Sequence, residues 1–349
     1  MLSSRLVLLF AGSVCALLLT GCGSDGGVNA AKSTELKGAG ATFPELAYSK
    51  WISDYKHEHP TMNISYAPVG STAGVQQLAE GKVDFAATDV PLSDAEMAKH
   101  PGKVLHFPTL VGAVVPIYNL PDVKGDVNFT ADVLAGILLG KIRSWSDPAI
   151  KHINSKVELP STAIRVVHRA PGSGTTYVLT DFLVKSSPAW KSKMGEGPTM
   201  KWPVGDEAAS NEAVAEAVAK TPGSFGYVEL NYAVRNKLAF GAVKNEAGDF
   251  VKATFESLGA ATDSVKTMPA DLRAMATNGP EKKAYPLANF TYLIVPTKIA
   301  DSTKRDAMKK FLGWVYDKDA GQKSALALEY NILPLPVLDS ARAQVDKIQ

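Results

Sequence analysis

Across its 349 residues the chain sets 37 Lys and Arg against 35 Asp and Glu, a formal net charge of +2. No Lys/Arg cluster tracks a polyanion, which excludes nucleic acid as an expected partner. With 46% hydrophobic residues the chain can bury a substantial core, as one large or two ordinary domains.

The chain begins Met1-Leu2-Ser3-Ser4-Arg5, continues through an apolar stretch over residues 6–19 and reaches Leu19-Thr20-Gly21-Cys22. A short basic start, an apolar middle and small residues before a cysteine predict a signal peptide over residues 1–21. At roughly 14 residues the apolar run is too short for a spanning helix, which needs about 20. Thr20-Gly21-Cys22 resembles a bacterial lipobox, so Cys22 is expected to carry the lipid that anchors the mature chain to the membrane. The other cysteine, Cys15, lies inside the signal. The mature chain then has no disulfide and no thiolate set for zinc or iron–sulfur, and no metal or cofactor is expected. Residues 22–36 are rich in Gly, Ser and Asn without hydrophobic periodicity, and read as a flexible tether.

From there strand-like and helix-like segments alternate. Residues 63–69 (NISYAPV) alternate as a strand, residues 74–81 carry Val75, Leu78 and Ala79 at helical spacing, and residues 83–87 (VDFAA) are again strand-like. Residues 163–167 predict a strand, a helix begins near Thr175, residues 292–295 predict a further strand, and residues 306–316 form an amphipathic helix with Met308, Phe311, Leu312 and Val315 on one face. This alternation predicts α/β architecture.

Three segments have the chemistry of an oxyanion site, because a helix start offers several N–H donors and a favourable dipole. In residues 38–44 (GAGATFP) glycines permit close backbone approach, Thr42 is the expected cap and Pro44 suits the first turn. In residues 70–74 (GSTAG) Ser71 or Thr72 is the expected cap. In residues 169–176 (RAPGSGTT) a guanidinium, Arg169, precedes a Gly-rich turn and a helix bearing Val178, Leu179, Phe182 and Leu183. Each segment alone reads equally well as an ordinary turn and cap. Asp89, closing the apolar run over residues 83–89, reads alone as a cap or turn former.

Taken in order, GAGATFP (38–44), GSTAGVQQL (70–78), VDFAATDVPLS (83–93), FPTLVGAVVPIYN (107–119), GKIRSWSDPAI (140–150), RAPGSGTTYV (169–178), MKWPVG (200–205) and GSFGYVE (223–229) resemble the substrate-binding protein family of the phosphate-specific transport (Pst) system. The resemblance runs from about residue 36 to the mid-330s. It implies a type II-like periplasmic-binding-protein fold, two α/β lobes joined by a double hinge with crossings near residues 110–116 and 288–294. Lobe 1 is expected over residues 37–112 plus 293–349 and lobe 2 over 113–292. It further implies a monomer on the extracytoplasmic, periplasmic face that binds inorganic phosphate between the lobes and delivers it to the permease and cytoplasmic ATPase subunits of an ABC importer.

Carried over by position, the phosphate contacts fall on Thr42, Phe43 through its N–H, Ser71, Asp89, Arg169, Ser173, Gly174 and Thr175. Gly40, Ala41 and Thr72 would shape loops, and Trp145, Asp147, Pro148 and Trp202 would be structural. Two departures stand out: Pro171 replaces a usual acidic residue beside Arg169, and residues 206–218 lack the family's usual glycine-rich turn. An enzymatic alternative would pair Ser173 with His168, but neighbours on a strand face opposite ways, so an inward Arg169 turns His168 outward.

Overall fold

The computed structural model describes residues 33–265, 267–328 and 330–349. Cys22, the signal expected over residues 1–21 and the tether as far as residue 32 lie outside the described residues. Twelve strands follow in chain order: β1 (Thr34–Gly40), β2 (Met62–Ala67), β3 (Phe85–Thr88), β4 (Val104–Tyr118), β5 (Asn128–Phe129), β6 (Arg165–Arg169), β7 (Asp206–Ala208), β8 (Ser224–Glu229), β9 (Ala239–Phe240), β10 (Ala242–Lys244), β11 (Phe250–Val251) and β12 (Ala288–Pro296). The expected tether is therefore too long at its end. Residues 34–36 already belong to β1, where they pair with Met62, Asn63 and Ile64 of β2, because Leu36 is a fully buried core residue.

The main sheet has the order β2-β1-β3-β12-β4-β8-β6-β7, with β9 added beside β4; a small sheet runs β11-β10-β5. Parallel pairing joins β1 to β2 and β3, and β6 to β7 and β8, while β4 and β12 run antiparallel to their neighbours. The long strand β4 divides this sheet in two. Residues Val104–Ala113 pair with β12, and Val114–Tyr118 pair with β8. One continuous strand thus serves two half-sheets, each carrying its own parallel strands, and the result is a mixed α/β, two-lobed fold.

Local chemistry explains much of this. From His106 onward every residue of β4 is buried, and no polar alternation is seen because both faces are covered. Pro108 lacks the N–H that a central strand uses, and the ladder with β12 slips between Thr291 and Tyr292, leaving Thr109 as the extra residue. The displaced Thr109 hydroxyl donates to the Thr291 carbonyl and bonds the Tyr48 hydroxyl at 2.8 Å. The helix Glu45–Glu58 buries Ala47, Tyr48, Trp51 and Tyr55 along one stripe, and Trp51 Nε1 donates to the Gly321 carbonyl at 2.7 Å. The helices Ser302–Val315 and Leu335–Val345 pack back on β1 and β4 respectively, so the end of the chain completes the first half-sheet. Among the described residues no helix is long and apolar enough to cross a membrane.

Candidate functional site

Strands β1, β2 and β3 of the first half-sheet deliver three segments to the seam between the halves. Thr42 and Phe43 follow β1, Ser71 opens the helix Ser71–Ala79 after β2, and Asp89 follows β3. From the other side β6 ends at Arg169 and a tight turn leads into the helix Gly174–Ser186. All eight positions singled out by sequence are buried. Gly174 sits against Ser71 and Asp89 so closely that a Cβ placed on it would overlap both. The Thr72 N–H donates across the seam to the Gly172 carbonyl at 3.1 Å.

The helix starts differ in how they are capped. Ser173 is the cap of its helix and accepts from the Thr176 N–H at 3.1 Å. That leaves the first-turn N–H groups of Gly174 and Thr175 with no carbonyl one turn back to bond, which makes them donors for a ligand. The caps expected of Thr42 and of Ser71 or Thr72 do not form. Pro44 stands at the cap position ahead of Glu45–Glu58, and Gly70, at φ 95°, caps Ser71–Ala79 with no side-chain bond. Thr42 and Ser71 are thereby free of capping duty, because the backbone bends through residues that need no side-chain oxygen. The Ser71 hydroxyl has no hydrogen-bond partner among the described residues, and neither has Arg169 Nε. Two buried, unsatisfied donors in one seam are costly unless a ligand accepts from them.

Arg169 is held from both sides, Nη1 donating to Thr175 Oγ1 at 3.3 Å and Nη2 to the Ala209 carbonyl at 3.2 Å. Burial pushes its pKa below the ordinary guanidinium value, while nearby Tyr227 and the charge of Asp89 oppose that shift. Asp89 accepts from the Thr291 hydroxyl at 3.1 Å, and its backbone carbonyl accepts from Asn289 Nδ2 at 2.7 Å. Burial pushes the Asp89 carboxyl up to about 7; the Thr291 bond, the Arg169 charge and the Ser71 hydroxyl, which lies beside the carboxyl without meeting hydrogen-bond geometry, pull the other way. Pro171 lies exposed on the turn, and among the described residues no carboxylate forms an ion pair with Arg169.

Sequence reasoning missed a ring of supports behind these groups. Asn211 Nδ2 donates to Thr42 Oγ1 at 2.9 Å and to Thr175 Oγ1 at 3.2 Å, and the Tyr232 hydroxyl donates to the Thr42 carbonyl at 2.7 Å. The Tyr330 hydroxyl reaches the Phe43 carbonyl at 3.0 Å and Glu229 Oε2 at 3.3 Å. Burial pushes the Glu229 carboxyl well above the usual range despite its bonds from Asn231 and Tyr330. Tyr227 and Glu229 lie in the GSFGYVE segment, so a signal was present, but it did not specify contact with the site. The segment after Gly205, whose geometry the absent glycines left open, is ordered as β7, the Ser210 cap and the helix Asn211–Lys220. It supplies both the Ala209 carbonyl for Arg169 and Asn211 for the two threonines. His168 turns away, its ring stacked on Trp202 at 5.2 Å between centroids. Trp202 in turn packs on Trp190 and Tyr227.

The sequence pattern of the PBP superfamily domain matches residues 27–319. The phosphate-binding protein PstS of Xylella fastidiosa is 38% identical over 307 residues, covering 87% of this chain and 82% of that protein. Among solved structures, a high-affinity periplasmic phosphate-binding protein bound with phosphate superposes with a TM-score of 0.74 at 20% identity, covering 89% of this chain and 94% of that one. An ABC-type phosphate transport receptor from Vibrio cholerae superposes with a TM-score of 0.56 at 18% identity, over 86% of this chain and all of that one. The two structures agree with the two-lobed fold, and the identity to the Xylella protein over nearly the whole length places this chain within the PBP superfamily as a member of the PstS family of phosphate-binding proteins.

Proposed function

We propose that this chain is an extracytoplasmic solute-binding protein that takes inorganic phosphate between its two lobes and delivers it to an ABC importer. The observation that carries this reading is the pair of buried donors without partners among the described residues, Ser71 Oγ and Arg169 Nε, in the same seam as the acceptor Asp89. Phosphate supplies what each needs. Its oxygens accept from Ser71, Arg169, the hydroxyls of Thr42, Ser173 and Thr175, and the N–H groups of Phe43, Gly174 and Thr175, with the charge-assisted bonds to Arg169 among the strongest. Its remaining proton is given to Asp89. Lobe 1 takes residues 34–112, from the start of β1, plus 293–349, lobe 2 takes 113–292, and ligand bridging favours their closed arrangement, which signals occupancy to the permease. Cys22 carries the lipid anchor, and the protein works as a monomer.

The test is calorimetry on a chain beginning at residue 23, with one phosphate bound per chain as the expected result. A chain that binds no anion would instead be a structural or adhesive lipoprotein. Catalysis is no part of the proposal, since His168 is stacked on Trp202 and Ser173 is occupied as a cap; turnover of p-nitrophenyl phosphate that disappears in Ser173→Ala would refute this. Gly174→Ala is expected to weaken phosphate binding roughly tenfold or more, because the new methyl group competes for the space of Ser71 and Asp89 and holds the walls apart. Titration of that variant against the wild type checks it.

A further inference from the structure

Asn211 is fully buried at the first position of the helix Asn211–Lys220, and it reaches the site from behind. Its side-chain oxygen accepts from the Glu229 N–H at 3.1 Å. That bond decides the orientation of the amide, since the flipped form would set one N–H donor against another. Nδ2 must then face the two threonine hydroxyls, one from each side of the seam, at 2.9 Å from Thr42 and 3.2 Å from Thr175. Each hydroxyl also receives a second donor: the Asn211 backbone N–H lies 3.5 Å from Thr42 Oγ1, and Arg169 Nη1 lies 3.3 Å from Thr175 Oγ1.

A hydroxyl has two lone pairs and one hydrogen. With both lone pairs taken, only the O–H bond remains, and it points toward the anion. We infer that Asn211 is a specificity-determining positioning residue that locks Thr42 and Thr175 as obligate donors and thereby biases the site toward the dibasic form of phosphate. This rests on the phosphate reading above. The dibasic ion brings one proton, which Asp89 accepts. The monobasic ion brings two, and the second finds two of the four site hydroxyls unable to accept it. Ser71 retains its lone pairs, and Ser173 gives one of its own to the Thr176 N–H.

The titratable groups around this clasp are Asp89 and Arg169 in the seam, Tyr227 and Glu229 from β8, Tyr330 bonded to Glu229 and to the Phe43 carbonyl, and Tyr232 with its partner Glu45 beyond Thr42. All of them are present in both the wild type and an Asn211 variant. The ratio of the two affinities therefore isolates Asn211, whereas either pH profile alone does not.

Phosphate affinity is to be measured by calorimetry between pH about 5.5 and about 8.5 on the wild type and Asn211→Ala. The expected loss is roughly tenfold or more at the alkaline end and about threefold or less at the acid end, because freed hydroxyls can accept the second proton of the monobasic ion. A loss of equal size at every pH, or no loss, overturns the role. If near-ultraviolet circular dichroism shows that Asn211→Ala does not fold, neutron diffraction on the wild-type phosphate complex decides. Both threonine hydrogens on the anion side support the inference, and either one turned toward Asn211 overturns it. A wild type that holds no phosphate at any pH removes the proposed function and this inference together, while tight wild-type binding with a flat ratio removes only the role of Asn211.

Discussion

Arg169→Ala is expected to weaken phosphate binding by at least about tenfold and toward a hundredfold, since charge-assisted hydrogen bonds contribute about 1.5–3 kcal/mol each. Removing the guanidinium takes away Nε, which has no partner among the described residues, and also releases Thr175 and the Ala209 carbonyl from its two other bonds. The effect extends to Asp89. Arg169 is one of the groups that hold the Asp89 carboxyl below the level burial alone would impose, so the variant should leave Asp89 protonated to higher pH. A protonated Asp89 is a donor and no longer accepts the proton of phosphate. Calorimetry should therefore show a loss that is largest near neutral pH, with far-ultraviolet circular dichroism unchanged. Unaltered phosphate affinity in Arg169→Ala would remove it from the site.

Asp89→Asn should change the choice of anion more than the ability to bind one. Sulfate has no proton, so well above pH 7, where Asp89 is ionised, the carboxylate meets it as one acceptor facing another, with charge repulsion added. Several kcal/mol of discrimination follow, or roughly a hundredfold or more in affinity. In Asp89→Asn an anion that offers only acceptors favours the new amide with its NH2 toward it, and the Thr291 hydroxyl then donates to the amide oxygen or to the Thr88 carbonyl at 3.3 Å. An acceptor thus becomes a donor, and the phosphate-to-sulfate preference should fall by roughly a hundredfold. The wild type has its own signature. The Asp89 carboxyl is pushed up to about 7, so as pH falls through 7 it gains a proton and can donate to sulfate. Sulfate affinity should rise on acidification, with one proton taken up per sulfate bound, and should be insensitive to pH in Asp89→Asn. Competition titrations of sulfate against phosphate from about pH 6 to about pH 9 would detect either outcome, and equal wild-type affinities at about pH 9 would remove the discrimination assigned to Asp89. Arsenate, which keeps a proton, should behave as phosphate does.

Several parts of the site are legible in the sequence. The strand over residues 163–167, the Gly-rich turn that begins at Arg169 and the helix beginning near Thr175 follow from turn chemistry and apolar periodicity, which involve residues only a few positions apart. The capping roles expected of Thr42 and Ser71 fail for a related reason. A Ser or Thr before a helix is a good cap, but whether it is used depends on where the backbone turns, and here Gly70 and Pro44 take those positions. The expected tether is too long because the chain from Thr34 to Leu36 has little pattern of its own and becomes a strand only by pairing with β2. Pro171 stands beside Arg169 in place of an acidic residue that would offset its charge. It lies exposed on the turn, and the guanidinium finds its fixed partner in the Ala209 carbonyl, 40 residues away in sequence.

The alternating strands and helices, the Gly-rich turn over residues 169–176 and the ordered set of segments that carries the family are all readable from the chain alone. Tertiary structure was needed to bring Thr42, Ser71 and Asp89 to Arg169, Ser173, Gly174 and Thr175 across one seam, to leave Ser71 and Arg169 Nε without partners among the described residues, and to set Asn211, 169 residues from Thr42, behind the threonines. The physical reason is range. Periodicity, capping and turn chemistry act between near neighbours, whereas the burial that raises Asp89 and the hydrogen bonds that orient Asn211 come from strands and loops that approach only when β4 joins the two half-sheets.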